Sequence, residues 1–465
     1  RQRSCRLRSI PPLSPADPSP PTRRQPPCIM APAAVAVRCG VLSLSAARAT
    51  RRPVRVAAKA GAPAPRRSGA FSSTRQSAPL RSSLQTKYTV GGTISTDVSD
   101  EQRAALAEDL GYRTIGKPVP DEVNLTKVIQ TLPKSVFELN HGKAWWGAIR
   151  TLGAVAGSLY LISVSPWYLL PFAWLLAGTA FTGFFTVGHD AGHRAFHKNN
   201  LVEDIVGTLM FAPLIYPFEP WRIKHNHHHA HTNKLVEDTA WHPVMPEDLD
   251  KWTGIKGALY KGVLGSPLKC FASIGHWLLW HFDLNKYTDK QKPRVIVSLV
   301  AVFAFMATAW PAIIYYTGVA GWVKFWLMPW IGYHFWMSTF TVVHHTAPHI
   351  PFRDAAEWDA AKAQLGGTVH CDYPRWVEWL CHDINWHVPH HVNSKIPWYN
   401  LRPATESLRQ NWGEYMTECT FNWRMMKTIF TQLHVYDKEK NYVPFDHQEE
   451  REDPFLAIQR RALPA

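Results

Sequence analysis

The chain has 465 residues, a formal net charge of +15 and a mean hydropathy of −0.20. Before Asp97 seventeen Lys and Arg stand against Asp17 alone, so the basic excess belongs to the N-terminal segment and the remainder is close to neutral. Basic patches with interleaved aromatics are absent from that segment, which argues against nucleic acid; seven scattered cysteines without a Cys-x-x-Cys pair argue against a zinc ribbon or a disulfide framework.

In chain order, residues 1–29 are rich in Pro and Arg without periodicity and are expected to be an untranslated leader, with Met30 as the initiator. Residues 30–85 are rich in Arg, Ser and Ala and have no acid, the composition of a disordered organelle transit peptide. Residues 86–143 form a polar, soluble approach, with Asp121-Glu122-Val123-Asn124 as a helix start. Four apolar stretches follow: Trp145–Ile162, Trp167–Val187, Val295–Tyr316 and Trp322–Val343. Each is long enough to cross a hydrocarbon core as a helix, and Trp and Tyr mark their ends. Two shorter apolar runs, Ile205–Tyr216 and Cys270–Leu284, suit interfacial helices. The expected fold is therefore an all-α integral membrane protein, with four transmembrane helices in 144–349 and a helical cap completed by 350–445. Trp412–Phe430 reads as a helix, Asp437–Lys440 as a solvated charge run, and 446–465 as a tail.

Three histidine clusters interrupt this pattern. His189-Asp190-Ala191-Gly192-His193 has i, i+4 spacing; His225-Asn226-His227-His228-His229 and His387-Val388-Pro389-His390-His391 are both His-x-x-His-His. Residues at i, i+3 and i+4 share a helical face. Eight imidazoles (His189, His193, His225, His228, His229, His387, His390, His391) exceed the four ligands of a closed zinc site, so two ions are expected. Two irons suit a redox task with dioxygen. No complete span separates the first two clusters and two spans separate the second from the third, so all three fall on one side of the membrane. His345 is the preferred ninth ligand and His382 the next. His197 is a further option, His227 and His231 lie off the main face, and Asp190 and Asp383 are placed to accept a ring N–H. Pro389 is compatible with the first turn of a helix presenting His390 and His391. A single Glu-x-x-His, Glu138 to His141, has no partner and reads as coincidence.

These boxes, in this order around such spans, resemble the membrane fatty acid desaturases. Trp221-Arg222-Ile223-Lys224-His225, His344–Phe352, Gly367–Arg375, Cys381–Asn385 and Lys395–Arg402 are similar to the plastid ω-6 (Δ12) subgroup. The resemblance covers roughly Asp121 to Phe445. It implies conversion of oleoyl to linoleoyl chains, and of the C16 monoene to the diene, in membrane glycerolipids such as galactolipids. It also implies two Fe, dioxygen as oxidant, ferredoxin as electron donor, and a chloroplast membrane (inner envelope or thylakoid) with the boxes facing the stroma. No His-Pro-Gly-Gly motif marks a fused cytochrome b5 domain. His227 and His231 depart from the family box. Phe181, Phe184, Phe185 and Trp336 are candidate walls of an acyl channel, and Lys395 and Arg402 candidate contacts for an acidic donor. The alternatives are a hydroxylase on the same scaffold and a histidine-rich metal transporter; the near absence of carboxylates from the spans opposes the second.

Overall fold

The computed structural model describes residues 89–90, 93–94 and 98–446. The expected leader, the whole of the expected transit peptide and all but the first residue of the tail lie outside them.

The polar approach folds as anticipated. Helix α1 (Asp100–Leu110) begins with a capping box: Ser99 Oγ accepts from Gln102 N, and Gln102 Oε1 accepts from Ser99 N. Helix α2 (Leu125–Gln130) starts after Asn124, whose Oδ1 accepts from Lys127 N at 2.9 Å.

Among the described residues three continuous helical stretches are long and apolar enough to cross a membrane: His141–Val164, Trp167–Gly192 and Lys292–His345. The first is helix α3 (His141–Val164); helix α4 (Leu170–Gly192) forms most of the second. The third has 54 residues, about 80 Å at the helical rise and more than one crossing needs. It contains α9 (Lys292–Trp322), a π-turn at Val323–Leu327 and α10 (Met328–His345). Gly318 breaks α9 at φ 72°, ψ 175°, a conformation essentially restricted to glycine. The two separate stretches expected here are thus joined in one run with a glycine corner inside it.

Helix α4 is the hub. It is buried along its C-terminal two-thirds, whereas α3 and α9 expose apolar faces such as Trp146, Ile149, Val297 and Val300. Apolar side chains turned outward at this density expect lipid as their solvent. Helices α4 and α10 pack closely where a Cβ on Gly178 would sit 2.5 Å from Gly332 Cα. Both then run on in the same sense, so His189 and His345 lie roughly 17 and 20 Å beyond that crossing. Close packing at small residues therefore brings two distant histidines to one end of the bundle.

The first interfacial run becomes α5 (Asn200–Phe211) and a tight turn at Ala212–Leu214. The chain then bends by 102° into α6 (Phe218–Ala230). Ile215 at φ 52° and Pro217 form the corner. Beyond α6, helix α7 (Gly254–Leu264) and helix α8 (Ser273–Trp280) carry exposed Ile255, Leu259, Leu278 and Leu279. Interfacial placement of the second run agrees with that surface.

The protein is mostly helical but not all-α. Among the described residues six short strands form three two-stranded sheets: β1 (Thr89–Val90) with β2 (Thr93–Ile94), β3 (Val369–Asp372) with β4 (Thr417–Thr420), and β5 (Val435–Asp437) with β6 (Asn441–Val443). Two short helices follow α10, α11 (Arg375–Leu380) and α12 (His387–Val392), and beyond them the helix expected over Trp412–Phe430 is corrected by β4. Helix α13 (Leu401–Trp412) stops before Gly413, the chain pairs parallel to β3, and Asn422 caps α14 (Trp423–Thr431). Thr417 and Cys419 point inward while Glu418 binds Arg113 and Arg409, a period-two pattern too short to stand out beside the helical signal. The charged run at Asp437–Lys440 lies at the turn of the β5–β6 hairpin.

Candidate metal centre

Each histidine box begins or ends on a helix near the same end of the bundle. His189 lies on the last turn of α4 and His193 follows it. His225, His228 and His229 lie on α6. Helix α12 (His387–Val392) carries the third box, with Pro389 in its first turn, where a missing N–H is harmless. His345 ends α10.

The imidazoles divide into two groups. One nitrogen from each of His189, His193, His225, His229 and His390 lies within 4.8 Å of all the others. His228, His345 and His391 form a second such group. His387 joins it, its Nε2 being 3.0 Å from His345 Nε2 and 3.1 Å from His391 Nε2. The helical repeat explains the division. Within each His-x-x-His-His box the i, i+4 pair goes to one group and the remaining histidine, turned about 100° from its neighbour, goes to the other. The groups touch, with the His229 and His391 rings stacked 4.3 Å apart.

Most of these rings are buried, those of His225 and His229 partly. Burial, reinforced by neighbouring imidazoles, pushes His193 and His387 down to about 3 and holds His225, His229, His390 and His391 well below the usual histidine range. Buried ring nitrogens without partners include His193 Nε2, His229 Nδ1, His345 Nδ1 and His390 Nε2. Facing nitrogens, such as His225 and His229 Nε2 at 3.2 Å, have no counter-charge between them. Such orphaned, converging acceptors carry a desolvation cost that a shared cation removes. A neutral all-imidazole donor set fits a divalent transition metal in each group.

Side chains outside the boxes orient the rings. His228 Nδ1 donates to Asp238 Oδ1 at 2.7 Å, and Asp238 is itself fixed by Asn233 N and Ala240 N. His391 Nδ1 donates to Gln364 Oε1 at 2.8 Å, while Gln364 Nε2 donates to His229 O. Each bond leaves the opposite nitrogen free for a metal. Asp190 Oδ2 accepts from Trp398 N, and Asp190 Oδ1 lies 3.5 Å from His189 Nδ1.

Other residues singled out from the sequence lie elsewhere. His382 stands apart from both groups, its Nδ1 against Arg150 and its Nε2 2.6 Å from Thr151 Oγ1. His197 accepts from Asn199 N and packs at a tilt against His141, its ring centroid 4.3 Å away, clear of the centre. Asp383 and Arg402 pair with each other, and Arg402 also binds Glu378, so that guanidinium clamps the cap together. His227 and His231 stack on each other on the outer face of α6. Asp238 and Gln364 were missed. An aspartate nine residues past the box and a glutamine inside the π-turn Lys362–Gly366 have no sequence signature; π-turns do concentrate at functional sites.

A cavity of about 340 Å³ runs from the histidines to the surface. His225, His228, His345 and His387 close its inner end; Phe185, Phe340 and Trp241 line its walls. Of the aromatic walls expected, Phe185 lines it, whereas Phe181, Phe184 and Trp336 pack outside it.

The sequence model of the family described as fatty acid desaturase matches residues 165–423, the stretch containing all three boxes. The chain belongs to the fatty acid desaturase family. This desaturase is 58% identical over 343 residues to the chloroplastic omega-6 fatty acid desaturase of Glycine max, covering 74% of this chain and 80% of that one. With the chloroplastic omega-6 fatty acid desaturase of Brassica napus it shares 56% identity over 364 residues, 78% and 82% of the two chains. It is also 53% identical over 329 residues to the sn-1 oleoyl-lipid 12-desaturase of Synechocystis sp., 71% and 93%. It is an oxidoreductase by membership, and its departures from the family box, His227 and His231, both face away from the centre.

Proposed function

We propose that this desaturase places the ω-6 (Δ12) double bond in oleoyl chains, and in the matching C16 monoene, esterified to chloroplast membrane glycerolipids. The observation that carries the reading is one apolar cavity closed at its inner end by imidazoles of two candidate metal groups. The printed names of the plant and cyanobacterial relatives agree with the substrate and bond position.

His189, His193, His225, His229 and His390 would hold one iron, and His228, His345, His387 and His391 the other. Two irons supply, when bound, the redox chemistry by which dioxygen oxidises an unactivated methylene pair. Two hydrogens from the chain, two electrons from a donor and two protons then reduce one dioxygen to two waters. The protein's own part is placement. Phe185, Trp241 and Phe340 exclude water and confine the chain, so that one methylene pair meets the histidine end. Asp238 and Gln364 fix ring tautomers, so that ligand nitrogens point inward without rearrangement.

The reading extends to topology. Gly318 would turn the 54-residue run into two crossings, giving four in all, with the histidine end towards the stroma and reduced ferredoxin as electron donor. Its test uses membranes containing the full chain, reduced ferredoxin, dioxygen and an oleoyl glycerolipid. The expected product is linoleoyl lipid with iron near two per chain. A hydroxylated product would reassign the chain to the oxygenase alternative, and turnover independent of iron would remove the metal reading.

A further inference from the structure

Trp280, one of the side chains lining the cavity, carries two cations on its indole. Lys224 Nζ lies 4.4 Å and Lys286 Nζ 4.1 Å from the Trp280 ring centroid. Lys286 donates to Leu279 O, and neither ammonium has a carboxylate within ion-pair distance among the described residues. The two ammoniums repel each other, and both act on His276, which stacks on the other edge of this cluster 5.9 Å from Trp280. Elsewhere on the surface lysines are commonly neutralised, as Lys251 by Asp248 and Lys292 by Asp289. Two unneutralised like charges sharing one ring form a site that is completed by an anion.

Two observations identify the anion. Lys224, Trp280 and His276 line the same cavity as His225, His228 and His345, so whatever the lysines hold is continuous with what the histidines meet. The helix bearing Trp280 exposes Leu278 and Leu279, 60% and 57% accessible, so the cluster lies where a headgroup would meet acyl chains. An acidic protein partner would instead need a polar surround. We propose that Lys224 and Lys286, gripping Trp280, bind the phosphate or sulfonate headgroup of an anionic glycerolipid whose acyl chain fills the cavity. This rests on the acyl-lipid reading above and adds a headgroup class to it. Lys224 adjoins His225, so Lys286 is the residue to vary.

The test is an internal competition. The full, iron-loaded chain is placed in vesicles of equal parts dioleoyl phosphatidylglycerol and dioleoyl monogalactosyldiacylglycerol, and linoleoyl product is measured in each lipid. A surface lysine favours an anionic lipid by about fivefold. The wild type is therefore expected to favour phosphatidylglycerol, Lys286→Gln to lower the product ratio about fivefold with unchanged galactolipid turnover, and Lys286→Arg to retain it. A second readout needs no turnover: dipalmitoyl phosphatidylglycerol retained by the purified protein in native mass spectrometry, expected in the wild type and diminished in Lys286→Gln. Retention without any desaturation would support the headgroup site while overturning the desaturase reading. A ratio near one in the wild type, a ratio indifferent to Lys286→Gln, or displacement of the effect onto the donor's KM would overturn the headgroup proposal. Competition by free inorganic phosphate as effective as by the anionic lipid would do so too.

Discussion

The two histidine groups are built from the same residue type and held in different ways. In the group of His228, His345, His387 and His391, two rings are fixed by hydrogen bonds from outside the boxes, to Asp238 and Gln364. In the group of His189, His193, His225, His229 and His390, the rings are fixed mainly by crowding against one another and Trp221, with His189 and His225 centroids 4.9 Å apart and His225 stacked on Trp221 at 4.6 Å. One group is aimed by bonds, the other by packing. The first should therefore be sensitive to polar substitutions at a distance and the second to changes of volume.

Loss of a ligand is the most severe test and should not distinguish the groups. Replacing His228, His229, His390 or His391 singly by Ala is expected to abolish desaturation while the protein stays in the membrane. Iron per chain, measured after purification, should fall in each. Turnover retained in any two of these variants would defeat the two-group assignment.

The orienting bonds come next, and here the groups should part. Gln364→Leu nearly keeps the volume and removes the acceptor for His391, and Asp238→Asn keeps the volume but removes the charge and sets an NH2 donor against one of the N–H groups that Asp238 binds, which weakens its hold on His228. Loss of such a partner typically costs about 10- to 100-fold in metal affinity. Iron affinity measured by chelator competition should show one weakened and one unchanged ion. Trp221→Leu should weaken the other ion, because it removes the wall behind His225. Equal weakening of both ions by either class of variant would erase the contrast.

Proton competition is a smaller effect and acts on both groups. Burial holds His193 and His387 at about 3 in the folded, metal-free protein, against an ordinary 6.5 in the unfolded chain. Between these values the unfolded chain binds more protons, so stability rises with pH. It is full above about 6.5 and is lost progressively as the pH drops toward about 3. Buried histidines outside the centre add to this: His276 is held at about 4 and His349 at about 3, each by burial first. The melting temperature of the metal-free protein in detergent should drop between pH 7 and pH 5 by these arguments, about where histidine titrates. A bound divalent ion should oppose the drop by mass action. A melting temperature flat across that interval would show that the rings are solvated.

Much of this centre was legible in the sequence because its information is local. The spacing within each box already assigns a ring to one side of a helix, and the expected even number of spans between the second and third boxes would put them on one face. His345 was reachable by the same reasoning, since it ends an apolar run. What could not be read depends on the chain returning from far away. Asp238 reaches His228 through a turn, Gln364 reaches His391 from a π-turn, and β4 is a four-residue strand whose partner lies over forty residues upstream. The same limit explains His382: its position five residues before the third box suggested a ligand, but a left-handed backbone at φ 51° turns it towards Arg150.

The sharpest form of the comparison lies at α6 itself, where four of thirteen residues are histidine, His231 follows as a fifth, and only three of the five face the centre. His227 and His231 meet each other on the outside, with His231 Nδ1 donating to His227 O at 2.9 Å and Nε2 3.3 Å from Glu237. They are one turn from the ligands in sequence and on the opposite face in space, so any effect they have must pass through the helix. Replacing both by Ala removes two partly exposed rings and one local hydrogen bond, a change worth at most a few tenths of a kcal/mol to about 0.5 kcal/mol at the surface. Iron content and turnover should match the wild type. A loss comparable with that of His228→Ala would mean that histidine number, rather than the face each ring occupies, governs the centre.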